Sequence, residues 1–203
     1  KTDNIEEYNK FKAEEASSHV QDAFFGSHYN IAQIMYSEYG DEFVCASISN
    51  KLWFQFKDHH WQQMEEGIFL RKKISEEIVQ KFAEEGKQSF TQLNSIAGNI
   101  DRKSAEEGLH SMRIKQSHKM MNNLNSNTYK NSVMKECAEV FYDKRFKEKL
   151  DNNTSLICFK NGVYDLKTHT HRAGRPEDFI SKTLPVDYKE FSPADEKVQE
   201  VYQ

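Results

Sequence analysis

The sequence lacks several features that would assign it a chemistry. It has no apolar run of the roughly 18 residues that a membrane-spanning helix needs, so no membrane span is expected. Its first residues, Lys1 to Glu7, hold no apolar signal core, and secretion is not expected. Cysteine is scarce. Cys45, Cys137 and Cys158 lie far apart among apolar neighbours and read as buried free thiols of a reducing compartment rather than a disulfide frame. No Gly-x-x-x-x-Gly-Lys-[Ser/Thr] string occurs, so the chain has no loop of backbone amides wrapped around a phosphate. Neither Cys-x-x-Cys nor His-Glu-x-x-His is present. From Gly108 to Lys135 there is no Asp or Glu at all.

What is present is a polar but core-forming composition. In 203 residues, 37% are hydrophobic, 30% charged and 12% aromatic. Mean hydropathy is −0.86. Aromatic content of this size builds a core, so disorder is not expected. The net charge of −4 is uneven. Residues 1–100 hold ten Lys/Arg against sixteen Asp/Glu, whereas the acid-free stretch carries Arg113, Lys115, Lys119, Lys130 and Lys135.

Apolar spacing organises the chain. Residues 1–19 are charged and read as a flexible or partner-dependent segment. Val20 to Tyr39 has Phe24, Ile31, Ala32, Met35 and Tyr39 at helical spacing, and Gly40 ends it. Residues 42–61 read as two or three short strands around Trp53, Phe54, Phe56 and Trp61. A helix is expected from Ser75, whose hydroxyl can cap it while Glu76 and Glu77 favour the positive dipole end. Its inward face holds Ile78 and Phe82, with Phe90 a further candidate and Gly86 a candidate interruption. Ser104 and Glu107 form a capping box for a helix running to about Leu124, with Leu109, Met112, Met120 and Leu124 as its core stripe. Tyr129 to Tyr142 reads as helix with Val133, Cys137, Val140 and Phe141 inward. A short turn of helix is expected within 143–150, and Ser192-Pro193 reads as a further helix start.

The most strongly patterned stretch runs from Leu156 to Ser181. Asn161-Gly162 stands between two β-prone runs, which predicts a β-hairpin or small meander, with a type I′ turn that needs positive φ at both central residues. A breaker at Gly174-Arg175-Pro176 follows. The fold class expected is α+β, mainly helical, with small antiparallel β elements near 42–61 and 156–172.

This stretch resembles the segment just before the helicase core in primase–helicases of poxviruses and other large DNA viruses. The residues that carry the resemblance are Phe159, Asn161 to Leu166 (with Gly162, Tyr164 and Asp165), Arg172, Gly174, Pro176, Glu177, Asp178, Phe179, Ile180 and Ser181. His171 stands where an apolar or aromatic residue is more usual, and Phe179 where Tyr is common. Tyr39-Gly40, Trp53-Phe54, Trp61, Gly67 and Leu70 resemble the opening part of the same segment. The resemblance implies a connector or collar domain over residues 20–191, with residues 192–203 leading into a superfamily 3 helicase domain. By the same resemblance the whole protein would be an ATP-dependent DNA helicase and primase using Mg2+, a homo-hexamer acting on DNA inside the host cell, in the cytoplasm or at the viral replication site. This part would hold no cofactor, metal or catalytic residue of its own, and would adjoin helicase and primase domains.

Several residue groups have side chains suited to a function. Arg102, Lys103, Arg113, Lys115 and Lys119 form the best nucleic-acid candidate, since evenly spaced cations follow a phosphate backbone. Arg172 and Arg175 beside Gly174 form a second. Trp53 and Trp61 suit core packing better than base stacking. Asp165, Glu177 and Asp178 suit turns better than acid–base work. His169 and His171, two apart on an expected strand, can face one ion, as can His59-His60, but no further ligand motif accompanies them.

Overall fold

The computed structural model describes residues 27–96 and 105–190. The expectations placed on Phe24, Arg102, Lys103, Ser104, the N-terminal segment and the Ser192-Pro193 helix start fall outside these residues.

In chain order the elements are helix α1 (His28–Tyr39), strands β1 (Phe43–Ser47), β2 (Leu52–Lys57) and β3 (His60–Glu65), helix α2 (Ile68–Lys73), and a π-turn (Ile74–Ile78) that runs into α3 (Val79–Ile96). There follow α4 (Ala105–Asn125), α5 (Asn127–Val140), α6 (Phe146–Lys149), strands β4 (Leu156–Phe159), β5 (Gly162–Asp165) and β6 (Thr170–Arg172), and a 3-10 turn (Pro176–Asp178). The two three-stranded sheets are ordered β1-β2-β3 and β4-β5-β6. The fold is α+β with two small antiparallel sheets, as the periodicities indicate.

Within the span expected as one domain, the chain divides into two compact units. Among the described residues, the first holds residues 27–54 and those within Gln63–Lys144; the second holds Gln55–Gln62 and residues 145–190. The distal halves of β2 and β3 thus belong to the second unit.

The first unit is a helical body on a sheet. Ile31, Ile34 and Met35 of α1, Leu70, Ile74, Ile78 and Phe82 of the α2–α3 run, Met120 and Leu124 of α4, and Val133 and Cys137 of α5 are all buried in one cluster. Full burial of such a side chain contributes about 1.5–3 kcal/mol each, before the entropy of ordering is counted. Phe43, Cys45 and Trp53 close the cluster from the sheet side. A parallel bridge between Cys45 and Tyr142 ties β1 to the end of α5. Trp53 packs on Phe141, with ring centroids 5.8 Å apart.

Four helical expectations are corrected. Helix formation begins at Ile68, not Ser75. Gly67 sits at φ +65° and turns the chain from β3 straight into α2. A Cβ there would lie 2.9 Å from Met134 Cε and 3.2 Å from the Trp53 ring, so only glycine fits this turn without displacement. Ser75 lies inside the π-turn and caps nothing; its Oγ accepts a bond from Lys130 Nζ at 3.0 Å. Gly86 does not interrupt α3. It lets α4 approach closely, with Ser117 Cβ 3.1 Å from where a side chain would begin. Phe90, Leu109 and Met112 are outward, at 55%, 43% and 46% exposure, because α3 and α4 pair through Ser89 and Ser117 instead. The last helix of this unit runs from Asn127 to Val140, two residues earlier at each end than expected.

The second unit has its own small core. Cys158, Val163 and Ile180 are buried, with Leu156 packed against them. Trp61 stacks edge-on with Phe146 at 4.9 Å and donates its indole N–H to the Pro176 carbonyl at 2.8 Å.

Candidate functional site

The signature stretch forms a scaffold in which nearly every marked residue holds another in place. β4 and β5 pair with Phe159 opposite Gly162 and Leu156 opposite Asp165, so the tight loop is Lys160-Asn161. The expected type I′ turn is not formed. Asn161 is absent from the residues with positive φ, and Gly162, at φ +149°, opens β5 rather than completing the turn. Close packing requires glycine at this place. A Cβ on Gly162 would sit 2.5 Å from the Arg172 carbonyl oxygen and 2.7 Å from His171 Nε2. Asn161 is used otherwise. Its Oδ1 accepts the Tyr188 N–H at 2.9 Å and its Nδ2 donates to the Tyr188 carbonyl at 3.0 Å.

Asn161 thereby fixes an aromatic group. Tyr188 stacks with His171 at 4.7 Å and with Tyr164 at 5.0 Å, and meets Phe159 edge-on at 5.5 Å. Tyr164 and His171 are cross-strand partners on β5 and β6. An imidazole at this position therefore does what an aromatic residue does, which accounts for the departure at His171. Two backbone bonds, Leu184 N–H to the Cys158 carbonyl at 2.8 Å and Lys160 N–H to the Val186 carbonyl at 3.1 Å, lay the following segment along the outer edge of β4.

The charged residues form a clamp. Arg172 donates both guanidinium arms to Asp178, 2.7 Å to each oxygen, and the Arg175 backbone N–H adds a third bond at 2.8 Å. Burial by itself pushes the Asp178 carboxyl up, but the Arg172 fork and the Arg175 amide outweigh it and hold the group below its ordinary range. The same bond holds Arg172 above its ordinary value. Next along the chain, Phe179 takes φ +48° and Ser181 bonds Asp151 twice, N–H to Oδ1 at 2.8 Å and Oγ–H to Oδ2 at 2.5 Å. The Gly174 N–H bonds His59 Nδ1 at 3.1 Å, and the Lys167 N–H is capped by Asp165 Oδ1 at 2.9 Å. Sequence reasoning missed Asp151 and Tyr188; the polar run Asp151-Asn152-Asn153 signals only a loop, and the φ of +58° at Asp151 is visible only in the structure.

Reactive chemistry finds little footing in these residues. The three cysteines are free and buried. Burial raises the Cys45 thiol to about 11, and raises Cys137 and Cys158 as well, so none is held as a thiolate. His169 sits in a turn at φ +52° rather than on β6, which removes the shared strand face expected of it with His171. Among the described residues no group of three His, Cys, Asp or Glu side chains could hold a metal. Trp53 and Trp61 are 2% and 3% exposed and offer no open ring face.

The cationic candidates separate. Arg172 is committed to Asp178. Arg175 is exposed beside it. Lys115 and Lys119 are exposed on α4, one helical turn apart, and neither has an ion-pair partner among the described residues; Arg113 is half-buried nearby in sequence. Lys115 and Lys119 are thus open positive charges on one face of α4.

No helix among the described residues is long and apolar enough to cross a membrane. Compared with known proteins, residues 32–201 match the family described as D5 N terminal like. The mimivirus protein "Putative helicase L207/L206" of Acanthamoeba polyphaga mimivirus is 32% identical over 98% of this chain. "Putative helicase 022R" of Frog virus 3 is 29% identical over 83% of it, and "Putative helicase 121R" of Invertebrate iridescent virus 3 is 30% identical over 85%. In each case the chain spans 20% of the relative's length. With most of its length matched, and the signature residues gathered into one interlocked scaffold, the chain belongs to the D5 N terminal like family of large-DNA-virus helicase proteins.

Proposed function

We propose that this chain is a non-catalytic connector or collar domain of a viral replicative primase–helicase, supporting ring assembly and guiding DNA for an ATP-driven motor elsewhere in the protein. The observation that carries this reading is the family match over residues 32–201, in relatives named as helicases that are five times as long. Two features support it. The chain has no Gly-x-x-x-x-Gly-Lys-[Ser/Thr] string, and its polar cluster of Arg172–Asp178 with Asn161–Tyr188 is spent on internal bonds. ATP and Mg2+ then act in the whole protein, whose ring is a homo-hexamer, in the cytoplasm or at the replication site of an infected cell. The test is the parent protein with and without residues 32–190. The reading expects the deletion to lower ring assembly, followed by native mass spectrometry, and DNA-stimulated ATP hydrolysis together. An unchanged ring with full stimulation would count against it.

A second reading, a non-specific nucleic-acid-binding module, is favoured by the open pair Lys115 and Lys119. Fluorescence titration with single- and double-stranded DNA across a salt series separates the two. Micromolar binding with a steep salt slope supports direct DNA contact, and no binding at low salt removes it.

A further inference from the structure

The first unit carries a groove of 720 Å3 that none of the preceding roles uses. It lies among the β1–β2 turn, the start of α2 and the outer face of α5. Aliphatic side chains make its apolar part: Ile48 and Ile68, which are 43% and 55% exposed, and Met134. Trp53 lies beneath, 2% exposed. The polar part is uneven. Lys51 and Glu66 neutralise each other at 2.7 Å. Lys135 and Glu139 line the groove from α5, four residues apart. Arg71 is different: its Nη2 is held by two neutral amide oxygens, Asn131 Oδ1 at 3.1 Å and Asn127 Oδ1 at 3.3 Å, and no carboxylate meets it among the described residues. The two amides orient the guanidinium without cancelling its charge, and a planar fork with free donors suits a carboxylate.

We infer that this groove receives a short acidic–apolar peptide segment of a partner protein, with an aliphatic side chain against Ile48, Ile68 and Met134 and a neighbouring carboxylate on Arg71. The charge pattern favours a peptide over nucleic acid. Lys51 is spent on Glu66 and Glu139 sits in the same lining, so the groove presents no run of free cations for a phosphate backbone to follow, whereas one carboxylate is enough to meet Arg71. The apolar lining points the same way, because Trp53 shows no open face for a base to stack on, while exposed isoleucines and a methionine accommodate varied aliphatic groups.

Fluorescence anisotropy with the full 203-residue chain tests the site. The probe is a fluorescein-labelled peptide of alternating leucine and glutamate. An alternating leucine–lysine peptide and a single-stranded oligonucleotide are the comparators. The expected result is saturable binding of the glutamate peptide only. Arg71→Ala weakens it about tenfold or more, and so does Asn131→Asp, which places a carboxylate of nearly the same shape on Arg71 from within. Ala138→Trp, which fills the groove, removes binding, while Lys147→Ala leaves it unchanged. Circular dichroism and the thermal midpoint of each variant report whether the fold is kept; Asn131→Asp alters no volume and stays informative if Ala138→Trp unfolds. Equal binding of the lysine peptide, absence of saturation up to about 1 mM probe, an affinity within about twofold of the parent in both Arg71→Ala and Asn131→Asp, or displacement of the peptide by the oligonucleotide each overturns the proposal.

Discussion

Replacing Asp178 by Asn isolates what the Arg172 clamp contributes to the fold. The two side chains are 27% and 9% exposed, and the carboxylate accepts three bonds. Breaking a fully buried ion pair by removing one partner costs about 3–5 kcal/mol, because the other charge is left uncompensated. Arg172 keeps more than a quarter of its exposure and one bond to the Ala173 carbonyl at 3.0 Å, so water recovers part of that cost. The Arg175 amide keeps an amide acceptor in Asn. Together these place Asp178→Asn at about 2–3 kcal/mol, with Asp178→Ala about 1 kcal/mol worse for the orphaned amide. Arg172→Lys keeps the charge and loses the fork, and should cost about 1–2 kcal/mol. Because the folded-state pKa of Asp178 lies below its ordinary 3.8, this stabilisation is present above the unfolded value and is lost as pH falls through the folded one. Urea denaturation of parent and Asp178→Asn side by side is the assay. Their gap should be constant from about pH 7 to 5 and shrink progressively below about pH 4. A gap under about 0.5 kcal/mol at neutral pH, or one that stays constant to pH 3, would refute the clamp reasoning.

Other perturbations test other parts of the account. Gly162→Ala puts a methyl 2.5 Å from the Arg172 carbonyl at φ +149°, and should cost at least about 2 kcal/mol in thermal or urea denaturation, whereas the same change at Gly108, which meets nothing within 4 Å, should be neutral or stabilising. Tyr39 donates to Glu77 Oε2 at 2.7 Å, and its hydroxyl is pushed up by burial and by that carboxylate; Tyr39→Phe should cost about 1 kcal/mol while Glu77 keeps Lys73. The double variant Lys115→Ala/Lys119→Ala should flatten the salt dependence of any DNA binding by about two phosphate contacts, read as the slope of log affinity against log salt, without shifting the melting midpoint.

Sequence periodicity revealed where elements lie better than which faces meet. The strands near 42–61 and 156–172 were legible because β-branched and aromatic runs alternate between turn residues, and β3 merely extends further, to Glu65. Helical spacing marked Leu109 and Met112 as a stripe, but spacing only says that residues share a face. The face that packs was decided by small residues, Gly86, Ser89 and Ser117, which permit close approach and carry little hydrophobic signal. The start of α2 was hidden because Ser75 offers a good cap, whereas it is Gly67, at positive φ, that launches the helix. In the signature stretch, composition indicated a turn at Asn161-Gly162. It could not indicate that Asn161 reaches Tyr188, 27 residues on, or that Arg172 and Asp178 close on each other, since such pairs follow no period. The resemblance marked those residues as a set; the geometry supplies the reason, which is mutual support.

The central claim, a domain without its own motor chemistry, is tested most directly by ATP hydrolysis. The 203-residue chain is assayed with Mg2+, with and without single-stranded DNA, by phosphate release. The account predicts no turnover above the blank in either case. Turnover that a single substitution within the chain abolishes would contradict it.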